Sequence, residues 1–546
     1  MKASTPGMPL ITIVTRSLPS LKPFLALCAV LMAGAVFTSH ADEQKTPASQ
    51  KNGPISLTIL HTNDIHGHVE PWQGWEGELK GRLMGGLDRL SARVREARAS
   101  AGAESVLLLD AGDTFGDTMI AVETEGKALV EVMNAIGYDA MVIGNHEPDF
   151  TAEKLRQRIS EARFPILAAN IQDRNSGQLF TKPYILRTIQ GVKVGILGLA
   201  YPNTAKTSAQ KNVQNLHFEE AVASARRYVP QLQREGAQIV IALTHLGLSA
   251  DKQLAEQVAG IDVIVGGHSH NRMHDALKVG QTLIVQAGAH GSDLGRLDLR
   301  IINGQIASHA HTLIPVTGNA TDGQMTALIA RQRAAYEQKM NAVIGHAQTL
   351  IPRAQTIAGQ EPEKRDAESP ADDLFADAIR ASTRSEIAFL PGLGYGVAIQ
   401  PGPLTAAALR NLIPHDSAVW TMRLTGDQIL QVLEQAIENF SSKDPSQKVG
   451  GMIQISGLQF SYKPEAEFGQ RVQQVSVANK PLSPKRWYTV AVNALLAEGG
   501  HNYTTFKQGK DRRELDKQFE MVKAWIAARD KVSAPATDRI FKASEK

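Results

Sequence analysis

Five short clusters in the first half of the chain concentrate residue types that bind divalent metals. They are Asp64-Ile65-His66, Gly112-Asp113, Gly144-Asn145-His146-Glu147, Thr244-His245 and Gly266-Gly267-His268-Ser269-His270. Carboxylate, imidazole and amide donors together suit borderline ions such as Mn²⁺, Zn²⁺, Co²⁺ or Fe. Two such ions roughly 3.5–4 Å apart can activate a water and stabilise the attacking and leaving oxygens of an in-line displacement. Asp-x-His and His-x-His, if extended, send both side chains to one side of the backbone, because side-chain direction alternates with period two. The glycines beside them let the chain come close to an ion.

Each cluster follows an apolar, β-rich run: Ile55–Leu60, Val106–Leu109, Ala140–Ile143, Ile239–Leu243 and Ile261–Val265. These runs, with Val192–Leu199, alternate with amphipathic stretches, which predicts an α/β domain whose helices cover a buried sheet. The clusters then fall just after the strands, where open α/β sheets present a ligand crevice. Thr282–Ile302 is less regular and reads as paired strands. Gly318 to Gly323 is turn-rich, and Met325–Ile344 reads as one connecting helix. The expected organisation is a catalytic domain over 55–318, a helical connector and loop over 319–360, and a smaller α/β domain over 361–546. The second domain should hold helices Asp372–Ser382, Thr405–Leu412 and Thr425–Glu438. Its strands should be Glu386–Phe389, Gln454–Phe460 and Tyr488–Val492.

The 546 residues are 43% hydrophobic and 21% charged, with a formal net charge of +3 and no long basic block. That balance gives no reason to invoke nucleic acid. Lys2, Arg16 and Lys22 precede an apolar run, Phe24–Phe37, and Ser39-His40-Ala41 supplies small residues for cleavage. Residues 1–41 therefore read as a secretory signal cut before Asp42, with a flexible polar lead over 42–54. The run is short for a membrane span. Leu25-Ala26-Leu27-Cys28 faintly resembles a lipidation box, but Leu27 is too large for it. Export of this kind predicts a periplasmic protein that is free of the membrane after cleavage. Cys28 is the only cysteine. Its removal leaves no thiol, so any metal must be held by nitrogen and oxygen.

The five clusters, in this order, resemble the motifs of calcineurin-like metallophosphoesterases. The likeness extends over essentially the whole mature chain to bacterial periplasmic 5′-nucleotidases. It implies a four-layer α/β/β/α domain that holds two divalent metal ions, followed by a smaller substrate-binding domain. Asp64, His66 and His270 would hold one ion, Asn145, His245 and His268 the other, and Asp113 would bridge them. His146 would face the phosphate without binding metal, oriented by Asp149; the family usually has an aromatic residue at the Pro148 position. His61, His68, His274 and His290 match no ligand position, and Glu147 has no ligand counterpart.

The second domain is similar through Thr421–Gly426 and Gln454–Leu458 but departs at the substrate loop. Where the family carries Asn-Gly-Gly-Gly-Ile-Arg, this chain has Pro391-Gly392-Leu393-Gly394-Tyr395-Gly396. Gly396 thus replaces the arginine that would grip an anionic substrate. Arg384, Arg410 and Arg423 are candidates to compensate. Tyr503 matches one aromatic of the base clamp, with His501-Asn502 in place of the usual Asp-Gly, and Met452 stands where the other belongs. Tyr395 is a further candidate substrate contact; core packing is the competing role for Met452 and Tyr503. The loop also resembles that of Sox-type thiosulfohydrolases, which release a sulfur-bound sulfonate from a carrier protein. The expected activity is hydrolysis of a small-molecule phosphate ester, foremost a nucleotide. Thiosulfohydrolase-like chemistry and a non-catalytic ligand-binding role are the alternatives.

Overall fold

A computed structural model describes residues 53–543 except 76, 354–367, 394–395, 415, 444–446 and 448. The expected signal segment, nearly all of the lead after it, and Tyr395 lie outside the described residues.

Two six-stranded sheets form the first half. One runs, in spatial order, Gln305–Pro315, Asp293–Ile302, Ile55–Thr62, Val106–Asp110, Ala140–Val142 and Ile166–Leu167. The other runs Leu277–Val279, Thr282–Val285, Val263–Val265, Ile239–Thr244, Val192–Leu199 and Tyr184–Ile189. Period-two alternation decides what each face meets. Leu57, Ile59, Leu107 and Leu109 from the first sheet share one buried cluster with Ile241, Leu243, Val263 and Val265 from the second. Leu60 and Leu108 point the other way, into a cluster with Leu87, Leu90 and Val94 of helix Leu87–Ala101 and with Leu129 and Met133 of helix Lys127–Ile136. Val240 and Ala242 do the same on the second sheet, meeting Ala225, Val229 and Leu232 of helix Ala221–Arg234 and Leu254 of helix Leu248–Gln257. The layers are therefore helix, sheet, sheet, helix. Truncating one fully buried leucine between the sheets, such as Leu109, to alanine should cost about 2–5 kcal/mol.

The second half is built on a five-stranded sheet, ordered Gly451–Ser456, Ile387–Gly392, Trp487–Asn493, Ala418–Thr425 and Lys510–Lys517. Helix Pro370–Thr383 starts with proline in its first turn behind Ser369, whose side chain accepts from Asp372 N. Helix Gly426–Ser441 starts with a reciprocal capping box between Thr425 and Gln428.

Three expectations need correction. Met325–Ile344 is not one helix: it comprises Gly323–Ala334, a short turn of helix Glu337–Met340, and the start of strand Val343–Ala347. That strand pairs with Gly402–Thr405 and Lys531–Val532, and β-branched Val343 and Ile344 favour this extended state. Gln454–Phe460 divides at Gly457, whose φ of 80° ends one strand and starts another, Leu458–Tyr462, in a different sheet. Thr282–Ile302 also divides, and its two strands join opposite sheets instead of pairing with each other.

Candidate metal centre

All five clusters leave the carboxyl ends of strands that run parallel to a neighbour in their sheet. Asp64 N donates to Gly112 O and His66 N to Asp113 O, both at 2.8 Å, which fastens the first two loops together. His268 N donates to Asp64 Oδ2 at 2.9 Å and His245 Nδ1 to Ala111 O at 2.6 Å, joining loops from the two sheets. Gly144 and Gly267 sit where these loops press closest. A Cβ at Gly144 would collide with Asp113, and one at Gly267 with Ala111 O and His245.

The Asp-x-His and His-x-His pairs converge by a route other than period two. Asp64, His66, Asp113, His268 and His270 all have left-handed backbones, with φ of 52°, 49°, 56°, 75° and 59°. Such conformations cost on the order of 1–3 kcal/mol each and concentrate where a site demands them. Curled rather than extended backbone is what turns these side chains inward.

Their ligand atoms form overlapping groups, each lying within 4.8 Å: Asp64 with His66 and His270, Asp113 with His245 and His268, and Asp113 with His66 and His146. Asp113 Oδ2 is 3.0 Å from His245 Nε2 and 3.7 Å from His146 Nε2. Asp64 Oδ1 is 3.2 Å from His270 Nε2. Three imidazoles follow one rule. His66 Nδ1 faces Asp117, His146 Nδ1 faces Asp149 and His245 Nδ1 faces Ala111 O, at 2.5, 2.8 and 2.6 Å. An acceptor at Nδ1 places a proton there and leaves Nε2 as the nitrogen that faces the carboxylates, able to bind a metal ion once its own proton is released.

The electrostatics of these groups favour positive charge among the carboxylates. Burial alone would raise the Asp113 carboxyl, yet His245, His146 and His66 hold it well below the usual range. Burial opposes ionisation of Asp64 too, but His270 and His245 bring it down to about 2. Burial would lower His245, and Asp113 and Asp64 instead push it up to about 9. Two carboxylates so strongly favoured in their charged form, ringed by imidazole nitrogens, make a donor set for cations. Asn145 Oδ1 is a further fit: it is buried with no hydrogen-bond partner among the described residues.

A family model for the calcineurin-like phosphoesterases matches residues 57–272, and one for the 5′-nucleotidase C-terminal domain matches residues 343–508. The chain thus carries a calcineurin-like phosphoesterase domain followed by a 5′-nucleotidase C-terminal domain. It is a metal-dependent phosphoric ester hydrolase by class. It is 27% identical over 530 residues to the trifunctional nucleotide phosphoesterase protein YfkN of Bacillus subtilis, a match covering 88% of this chain and 34% of that one. The chain thus spans about a third of that relative. A 5′-nucleotidase precursor from Thermus thermophilus is 28% identical, with a TM-score of 0.81, over 90% of this chain and 100% of that one. The sulfate thiohydrolase SoxB of Thermus thermophilus, at 24% identity and a TM-score of 0.80 over 90% of this chain and 97% of the other, shares the fold.

Above this candidate metal centre lies a pocket. His66, Asp113, Asn145, His146, His268 and His270 form its floor, with Tyr201 and Thr207 at its side; Tyr201 stacks on His268 with ring centroids 4.1 Å apart. The C-terminal half closes it with Leu393, Gly450 and His501. Tyr503 and Met452 are not brought to it. Both are fully buried in the core of the C-terminal half, where Tyr503 packs against Phe506 and Met452 lies in a strand between buried neighbours. Apolar burial outweighed exposure of a base-stacking face. None of the three compensating arginines lines the pocket. Arg410 pairs with Asp416, Arg423 with Asp511, and Arg384 caps helix Pro370–Thr383.

Of two supporting residues beside the centre, Glu147 was named in the sequence reading but given no role, and Asp117 escaped it. Glu147 accepts backbone N–H bonds from Asp113, Thr114, Phe115 and Gly144 at 3.0, 2.7, 3.2 and 2.6 Å, binding the second and third clusters together. Asp117 backs His66. Its place four residues after Asp113 was the available signal, but only the left-handed turn at φ 78° directs its side chain inward.

Proposed function

We propose that this chain, exported and trimmed of its first 41 residues, hydrolyses phosphate monoesters of small molecules, nucleotides foremost. The observation that carries the reading is that His146, backed by Asp149, shares one pocket floor with the Asp113-centred donor set. In this reading Asp64, His66 and His270 would hold one divalent ion and Asn145, His245 and His268 a second, with Asp113 contributing its carboxylate to both. Bound ions of this kind supply Lewis acidity toward a phosphoryl group and make water nucleophilic at neutral pH. The chain's own residues do the rest. Asp149 fixes the His146 ring so that its Nε2 edge faces the pocket, positioned to hand a proton to the departing ester oxygen. Leu393, Gly450 and His501 cover the floor and limit bulk water.

The domain division that supports this reading places catalysis in residues 55–318, a connector over 319–360 and the covering domain in 361–546. Among the described residues no helix is long and apolar enough to cross a membrane.

The test is turnover by the purified mature chain, supplied with Mn²⁺, Zn²⁺ or Co²⁺, on nucleotides, sugar nucleotides and a bis-ester dye. Metal-dependent release of phosphate from monoesters supports the reading. Failure on every ester, with sulfate released from a sulfonated carrier thiol, would replace it with the thiosulfohydrolase reading that the Pro391-Gly392 loop suggests.

A further inference from the structure

The roof of the pocket has one polar side chain among its described residues. Leu393 is apolar and Gly450 has no side chain, so His501 alone among the three can bond a ligand through its side chain. No lysine or arginine is among the described lining residues. The backbone that presents the imidazole is held firmly. His501 is buried, its N–H donates to Lys206 O at 2.9 Å, and its carbonyl accepts from Asn439 Nδ2 at 2.7 Å. Gly450 lies flat against the ring, since a Cβ there would collide with Nδ1 and Cε1. The bond to Lys206 also ties the roof to the segment carrying Thr207, which lines the same pocket. His501 has a left-handed backbone, φ 49°, so its direction is set by the fold.

We infer that His501 is a substrate contact, donating a hydrogen bond from the roof to an anionic oxygen of the phosphoryl group held on the floor. The inference rests on the phosphoesterase reading of the site. With Nδ1 packed against Gly450, the ring offers an N–H at Nε2 in one neutral tautomer and in its protonated form, whereas the aspartate usual at this position in the family can only accept when ionised. A carboxylate in the roof would repel phosphoryl oxygens; an imidazole binds them. With Gly396 standing where the family likeness leads one to expect an arginine, His501 is the anion contact that the described residues of the C-terminal half bring to this pocket.

Asparagine and aspartate separate this role from a structural one. Both tolerate a left-handed backbone and are nearly isosteric, but only asparagine keeps a donor. Phosphate affinity is read by calorimetry on the full mature chain loaded with Mn²⁺, alongside KM for p-nitrophenyl phosphate and metal content. His501→Asn should weaken phosphate binding about threefold, and His501→Asp at least about tenfold more, with metal retained in both. Equal losses in the two variants would mean a structural role and overturn the inference. So would phosphate affinity in His501→Asp equal to that of the parent, or no phosphate binding by the parent. Absence of monoester turnover by a parent that still binds phosphate through His501 would instead overturn the phosphoesterase reading.

Discussion

His66 Nδ1 lies 2.5 Å from Asp117 Oδ2, with both side chains nearly fully buried. The Asp117 carboxylate fixes which ring nitrogen carries the proton and makes the other a better donor. It is also the foremost group holding the His66 imidazolium above its ordinary pKa against burial. Asp117→Asn keeps the shape and the left-handed backbone but removes the charge. Metal affinity should fall about tenfold or more. Activity titrated against Mn²⁺ will show this as a shifted half-saturation point with much of the plateau recovered. An unmoved half-saturation point would strip Asp117 of this role.

His146 is the residue whose loss should separate chemistry from metal binding. Its Nδ1 is 2.8 Å from Asp149 and its Nε2 is 3.7 Å from Asp113. His146→Ala should lower kcat by about 10²–10⁴ while metal content stays at the parent level. Asp149→Asn, which only loosens the ring, should cost less. Metal analysis and steady-state rates on the same preparations decide it, and an intact kcat in His146→Ala would remove the dyad from the mechanism.

The strand runs and the order of the clusters were legible because each is local: period-two burial and a loop of Asp, His and Gly can be read within ten residues. The convergence of His245 on Asp113 was accessible only through the motif likeness, since the two are 132 positions apart and meet across two sheets. The period-two argument for Asp64 and His66 reached the right neighbourhood through the wrong geometry, because φ is not encoded by residue type when Asp and His are made left-handed by their surroundings. Tyr503 and Met452 failed for a related reason. An aromatic or thioether side chain reads alike whether it stacks on a ligand or fills a core, and only packing decides. Glu147 was conspicuous in the motif yet set aside because the likeness gives it no ligand counterpart, and a carboxylate that accepts four backbone N–H groups leaves no spacing signature of that role.

Glu147 gives a prediction of its own. Its carboxylate satisfies four buried donors in the loops that present Asp113 and Asn145. Leaving such donors unpaired costs about 1–3 kcal/mol apiece before relaxation or water entry. Glu147→Ala should therefore lower the melting temperature by several degrees and reduce bound metal together, roughly as expected for 2–4 kcal/mol lost. Thermal melts with and without added Mn²⁺ check both. A variant that melts like the parent and retains its metal would show that the loops hold without Glu147.

The last prediction concerns pH and lies away from the metal centre. Asp373 is fully buried at the start of helix Pro370–Thr383, and the Arg539 guanidinium beside it also pairs with Asp377. Burial first, then the neighbouring carboxyls of Glu368 and Asp372, push the Asp373 carboxyl up to about 10 against the pull of Arg539. An unfolded aspartate titrates near about 3.9. Between about pH 4 and 10 the folded chain therefore holds a proton that the unfolded chain has released, so this group's contribution to stability falls as pH rises. Below that window both states are protonated and the dependence vanishes. Asp373→Asn mimics the protonated form at every pH. Its melting temperature should decline less steeply than the parent's between about pH 6 and 9, with the difference largest at the alkaline end. Parallel curves would mean that Asp373 is ionised in the folded chain and that Arg539 outweighs burial.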